Sequence, residues 1–181
     1  MSNLKHKRMR FVGNFDDIDF YEYSPSLFSP YYMDYPQENH PHYEKHLAHK
    51  IRMMLEKIRG GYRVFYMFSD GCVVGHIVVA NGGRRLKVST KSDIVVGPIF
   101  ISPSVRGNGI GTIGIRVVLN ELNLEYSYAY EFIAQDNIAS IRTVEKNGYE
   151  FLMKAKEQGL MKNLVECEDG DFVVYRYTKK N

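Results

Sequence analysis

The run Ile94 to Ile101, IVVGPIFI, is apolar and largely β-branched, yet Gly97-Pro98 breaks it in the middle, and Val-Arg-Gly-Asn-Gly-Ile-Gly follows at residues 105–111. Proline cannot donate to a ladder and glycine weakens a strand interior, so the pair marks either a bulge where the sheet opens or a strand that begins only at Pro98. Beyond the glycines, Ile110, Ile113, Val117, Val118 and Leu122 recur at helical spacing. A strand, a glycine bend and a helix therefore follow one another directly.

The other elements must be compatible with this unit. Upstream, Tyr43, Leu47, Ile51, Met54, Leu55 and Ile58 mark one face of a helix that Gly60-Gly61 closes. Strands are expected at Tyr62–Phe68 and Cys72–Ala80, joined through Ser69-Asp70-Gly71, a tight-hairpin signal. Downstream, Tyr128–Ala134 reads as a strand. Asp136 or Asn137 can cap a short helix carrying Ile138, Ile141 and Val144, with Asn147-Gly148 as its stop. Phe151–Ala155 and Phe172–Tyr177 read as closing strands, with a turn at 168–171 before the last. Residues 20–43, rich in Tyr, Phe and Pro, read as an aromatic loop region with short helical turns. The order predicts an α+β fold around one mixed sheet.

With 181 residues, the chain suits one domain with a sizeable core. A net charge of +3, with minor basic clusters at Lys5–Arg10 and Arg84–Lys91, makes no continuous stripe for a nucleic-acid backbone, and no apolar run reaches a membrane span. Neither nucleic acid nor membrane is an expected partner; a homodimer stays open. Cys72 and Cys167 form no CxxC pair, which suggests neither a zinc site nor a disulfide framework and fits a reducing cytoplasm. The basic N-terminus lacks the apolar run of a secretory signal.

A bend that leaves a strand and enters a helix aims unpaired amide hydrogens at one spot, with the positive end of the helix dipole behind them. Gly107, Gly109 and Gly111 would let the backbone approach an anion closely and adopt positive φ, and Arg106 would add a charge-assisted bond. Equally, three glycines can simply make a turn. The bend lacks the Lys-Ser/Thr of a nucleoside-triphosphate loop and the third glycine of a dinucleotide fingerprint.

Two blocks taken together, ISPSVRGNGIGTIGIRVVLNEL at residues 101–122 and NIASIRTVEKNGYEF at residues 137–151, resemble the GNAT (GCN5-related) N-acetyltransferase superfamily. The resemblance implies a mixed, mostly antiparallel sheet of about six to seven strands flanked by helices, with a splayed parallel strand pair at about 95–101 and 128–134. It further implies a single domain over residues 1–181, with core motifs at 94–151 and an acceptor-side region at 1–61. The activity implied is acetyl transfer from acetyl-coenzyme A to a primary amine, expected to be a small-molecule amine. The alternatives are a protein or peptide amine, or a module that binds acyl-coenzyme A without turnover.

By the same likeness, backbone groups of Ile99, Phe100 and Ile101 would pair with the pantetheine arm. Arg106, Gly107, Asn108, Gly109, Ile110 and Gly111 would hold the pyrophosphate, and Asn137 would either reach the coenzyme or only cap its helix. No metal is implied. Many family members carry a tyrosine seven residues after that Asn to protonate the leaving thiolate, where this chain has Val144. Tyr149 or a tyrosine of the aromatic region then takes that role, or the thiolate leaves unaided.

Glu131 is the candidate base, unless it faces solvent. His76 alternates with Val74 and Val78, as a core histidine does. His42, His46 and His49 share a helix face without the HExxH pattern, which suggests a solvated face over a zinc site. Tyr21, Tyr23, Phe28, Tyr31, Tyr32 and Tyr35 either line the acceptor pocket or cover the core of the N-terminal region.

Overall fold

Two aspartates turn the chain into its first hairpin. Asp16 and Asp17 both adopt positive φ, 49° and 64°, and join β1 (Met9–Phe15) to β2 (Ile18–Tyr23), which pair antiparallel from Phe15↔Ile18 outward. The computed structural model describes residues 8–31, 46–58, 60–83, 85–159 and 163–179. These residues form two compact units, one up to Val79 together with Pro98–Gly114, the other Ala80–Gly97 together with Ile115 onward.

In the first unit, α1 (His46–Ile58) precedes β3 (Tyr62–Ser69) and β4 (Cys72–Asn81, its last two residues in the second unit), whose connection uses positive φ at Asp70 and Gly71. A two-residue connection of this kind joins antiparallel neighbours. The strand order is β1-β2-β3-β4, followed by β5 (Ile94–Ile101), which begins in the second unit and ends in the first. Phe20, Tyr23, Val64, Phe65, Tyr66, Met67 and Ile77 are fully buried and make the core. Glu22 is buried with them and carries two cations: Arg10 Nε donates to it at 2.8 Å, and Arg63 forms a second ion pair. These bonds cross β1, β2 and β3, so the carboxylate is compensated where it enters the sheet. α2 (Ile110–Glu121) starts in this unit, and Gly114 lets its first turns press close: a Cβ there would lie 2.9 Å from Ile77 Cδ1 and 3.0 Å from Met67 Sδ.

In the second unit the order is β5, β6 (Tyr128–Ala134), β9 (Phe172–Thr178), β7 (Glu150–Gln158) and β8 (Asn163–Glu166), with α3 (Ile138–Lys146) after β6. β5 and β6 run parallel; the other pairs are antiparallel. Directly opposed residues of an antiparallel pair share a face, so Glu131 lies with Tyr175, while its neighbours Tyr130 and Phe132 face the other way. That other face packs Tyr130, Met153, Ala155, Val174, Leu86 and Leu164 into one cluster. Leu164 N–H donates to the Arg85 carbonyl at 2.7 Å and Lys87 N–H to the Leu164 carbonyl at 3.3 Å, which covers the outer edge of β8 and leaves fewer backbone groups open for pairing.

The α+β class and the mixed sheet with its parallel pair agree with expectation. The strand count does not: nine strands are found among the described residues where six to seven were expected. The additions are the β1–β2 hairpin and β8. Part of the expected aromatic loop is therefore strand. Tyr21 lies in β2, and Tyr23, fully buried, donates its hydroxyl to the Ser29 carbonyl at 3.0 Å. Among the described residues, no helix is long and apolar enough to cross a membrane.

Candidate active site

The parallel ladder between β5 and β6 is short. Its registered pairs are Ile94↔Ala129 and Val95↔Tyr130. Two positions past the last pair Gly97 takes φ +119°, with open space where a Cβ would stand. Such backbone is available to glycine and strained for other residues, so the sequence GP enforces the local opening. At the far end of β5, the Phe100 carbonyl approaches β4: a Cβ on Gly75 would lie 2.6 Å from it, and Ser102 N–H donates to the Val74 carbonyl at 2.8 Å. Strand alternation then turns the backbone groups of Ile99 and Ile101 to the edge away from β4. Ile99 and Ile101 thus face the edge away from β4, where the Ile101 carbonyl accepts from Arg106 Nε, whereas Phe100 faces its neighbour strand.

The glycine bend follows a short 3₁₀ turn, Pro103–Val105. Gly107 and Gly109 take φ +86° and +76°, and neither has any atom within 4 Å of a would-be Cβ. Arg106, Gly107, Asn108 and Gly109 are exposed, while Ile110 is buried beneath them. The first bond of α2 runs from Ile113 N–H to the Gly109 carbonyl at 3.0 Å, so the amides of Ile110, Gly111 and Thr112 project beyond the helix end without acceptors inside it. Arg106 Nε donates to the Ile101 carbonyl at 2.9 Å, which holds the guanidinium against the bend. The bend is an open cradle of amide hydrogens with a cation at its rim. One expectation needs correction: Gly111 belongs to α2 and is not among the glycines of positive φ, so the left-handed geometry rests on Gly107 and Gly109 alone.

A model of the acetyltransferase (GNAT) family matches residues 19–149, a span that holds β3, β4, the bend and both helices after it. The chain belongs to the GNAT acetyltransferase family. Among solved structures it is similar to RimL, a ribosomal L7/L12 α-N-protein acetyltransferase in complex with coenzyme A. There the TM-score is 0.61 at 13% identity over 93% of this chain and 98% of that one. It is also similar to yncA of Salmonella typhimurium, solved with its cofactor acetyl-CoA, at TM-score 0.58 and 15% identity over 90% and 94% of the two chains. A third is Campylobacter jejuni N-acetyltransferase PseH in complex with acetyl coenzyme A, at TM-score 0.53 and 14% identity over 76% and 82%. At such identities the likeness concerns the fold. None of the curated proteins matches this sequence.

The second unit holds two buried polar groups without partners. Glu131 sits on β6 immediately after the last ladder pair, 5% exposed, and its Oε1 has no hydrogen-bond partner. Burial pushes its carboxyl up to about 8, because the charged form has lost its water. Tyr149 is 3% exposed and its hydroxyl is also without a partner. Burial first, then the charge of Glu131, push that phenol well above its ordinary value. Solvent exposure, the alternative placement for Glu131, is therefore excluded. Val144 is fully buried on α3, and its carbonyl accepts the Tyr149 N–H at 3.2 Å.

Asn137 caps α3: its side chain accepts from Ser140 N–H at 3.2 Å. His76 is 1% exposed and stacks on Phe100 with ring centroids 5.8 Å apart. Phe28 is 92% exposed and Tyr31 half-buried. Tyr32, Tyr35 and His42 lie outside the described residues, and His46 and His49 fall in the first turn of α1. Sequence reasoning did not find that the Tyr149 hydroxyl and Glu131 Oε1 are buried without partners. The only signal for Tyr149 was its aromatic position after Asn147-Gly148, which says nothing of burial.

Proposed function

We propose that this GNAT protein is an N-acetyltransferase that moves the acetyl group of acetyl-coenzyme A onto a primary amine of a small molecule. The observation that carries it is the open cradle at Gly107 and Gly109, where a side chain would fill the space a diphosphate needs. Amides at the start of α2 and the Arg106 guanidinium suit that anion, so the residues present fit the coenzyme. Ile99 and Ile101 pair with the pantetheine arm, and their amide hydrogens polarise the thioester carbonyl, a contribution of about 3 kcal/mol. Asn108, Ile110 and Gly111 complete the pyrophosphate site. Asn137, by family likeness, contributes from the start of α3. The reading treats residues 1–181 as one GNAT domain.

The acceptor must arrive as a neutral amine. For an amine of pKa about 10.4, that form costs about 4 to 5 kcal/mol at pH 7. Glu131 takes that proton. Its carboxyl, raised to about 8, holds a proton far better than an exposed carboxylate and still releases it near neutrality. The depth of this single carboxylate, 5% exposed, favours a slender amine over a bulky protein surface.

The test is thiol release from acetyl-coenzyme A by the purified protein with tyramine, spermidine, glucosamine and an N-terminal tripeptide as acceptors. Release with a small amine well above the tripeptide supports the reading. Release with the tripeptide alone moves the acceptor to protein amines. Coenzyme binding by calorimetry without release from any acceptor makes the protein a binding module.

A further inference from the structure

Resting on the coenzyme cradle proposed above, we infer that Asn108 is a self-modifying position: its side-chain amide is lost by attack of the Gly109 nitrogen, and the acid left behind weakens the anion site unless coenzyme is bound. An asparagine followed by glycine can close on itself, because no side chain on the second residue blocks the approach of that residue's nitrogen to the asparagine carbonyl carbon. The chain holds this pair three times, at Asn81-Gly82, Asn108-Gly109 and Asn147-Gly148. The structure treats the three differently.

After Asn81 the attacking nitrogen is occupied. Gly82 N–H donates to the Asp93 carbonyl at 2.7 Å, Gly82 is buried, and a Cβ on it would lie 2.4 Å from the Thr90 carbonyl oxygen. At Asn147 both groups are held: Gly148 N–H donates to the Glu145 carbonyl at 3.0 Å and Asn147 Nδ2 to the Thr143 carbonyl at 2.9 Å. Among the described residues nothing holds Asn108. Neither its side-chain amide nor the Gly109 N–H has a hydrogen-bond partner, both residues are exposed, and no atom lies within 4 Å of a Cβ built on Gly107 or Gly109. A bond that must open first lowers the reactive population by its own free energy. Of the three pairs, the one in the bend meets no such cost.

In the step, the Gly109 nitrogen forms a bond to Asn108 Cγ, and the bond from Cγ to the side-chain nitrogen breaks with its electron pair leaving on that nitrogen. The proton of the Gly109 amide passes through solvent to the leaving group, ammonia departs, and a cyclic imide remains. Water then adds to either imide carbonyl and reopens the ring as aspartate or, with the main chain rerouted through the side chain, as isoaspartate. Nothing is oxidised or reduced. Either product sets a carboxylate at the mouth of the bend, where a diphosphate would meet a like charge. Isoaspartate also adds a methylene to the main chain between Gly107 and Gly109, whose φ values of +86° and +76° shape the cradle. A diphosphate already seated there covers Asn108 and Gly109 and blocks the attack, so the modification marks protein that has stood without coenzyme.

The experiment incubates purified wild-type protein for days in mildly alkaline buffer, with and without coenzyme A, and follows three tryptic peptides by mass spectrometry. Cleavage at Arg106 and Arg116 isolates Asn108, at Arg63 and Arg84 Asn81, and at Lys146 and Lys154 Asn147. The Asn108 peptide should turn to acid about tenfold faster than the other two, or more. Coenzyme A at about ten times its Kd should slow that reaction about tenfold. Calorimetry on the modified form, separated by ion exchange, should show coenzyme A affinity roughly tenfold below that of fresh protein. Asn108→Gln keeps an amide but needs a larger ring, so its affinity should not change over the incubation. Equal rates at the three sites overturn the proposal, as does an Asn108 rate that saturating coenzyme A leaves unchanged, or a modified form that binds coenzyme A as fresh protein does. Fresh protein without affinity for coenzyme A removes the cradle reading itself, and the peptide masses then still decide whether Asn108 is modified.

Discussion

Replacing Glu131 by Gln tests the buried carboxyl directly, through stability and without any substrate. Folding moves this group from water to a site 5% exposed where Oε1 finds no partner. Its pKa rises from 4.5 to about 8. Because the folded state holds the proton more tightly, stability is fully present below pH 4.5 and is lost as pH climbs through 8. The loss is about 1.4 kcal/mol for each pH unit within that window, or on the order of 4 to 5 kcal/mol across it. Glutamine has nearly the same shape and does not titrate. Urea unfolding of both proteins at pH 5.5, 6.5 and 7.5 should therefore show the variant gaining on wild type by about 1 kcal/mol or more per pH unit. Other ionisable groups are common to both proteins and cancel in the difference. If that difference is flat across the three pH values, the carboxyl is hydrated in the folded state, and the argument for its raised proton affinity fails.

Three further outcomes follow from the same structure. Gly109→Val places a β-branched side chain at φ +76° in open space, so calorimetry should show acetyl-coenzyme A affinity falling about 100-fold or more, while strain lowers stability by only about 1 to 3 kcal/mol. Arg106→Ala removes the bond to the Ile101 carbonyl and the cation at the rim; coenzyme affinity should drop by roughly tenfold and become less sensitive to salt, read by titration at two ionic strengths. Gly75→Ala sets a methyl 2.6 Å from the Phe100 carbonyl, and the forced backbone shift should cost about 1 to 3 kcal/mol in urea unfolding.

Periodicity was readable where local signals were strong. β5 and β6 were expected at the residues they occupy, and the α3 cap at Asn137 and its glycine stop at 148 follow from Asx and left-handed backbone chemistry that needs no distant contact. The β1–β2 hairpin escaped because its turn is made by Asp16-Asp17, both at positive φ without a glycine to announce it. β8 escaped because a four-residue strand with a single fully buried side chain, Leu164, carries almost no period; its contacts with Arg85 and Lys87 hold it in place.

By itself, the sequence determined what depends on neighbours along the chain: the strand, bend and helix order, the glycines that keep the bend open, and the two blocks that identify the GNAT family. Tertiary structure alone decided what depends on distance through space. That Glu131 Oε1 and the Tyr149 hydroxyl are buried without partners, and that Phe100 faces β4 while Ile99 and Ile101 face the other edge, are outcomes of register and packing. The reason is physical: backbone geometry and capping are set within a few residues, whereas desolvation and proton affinity depend on every element packed around a group.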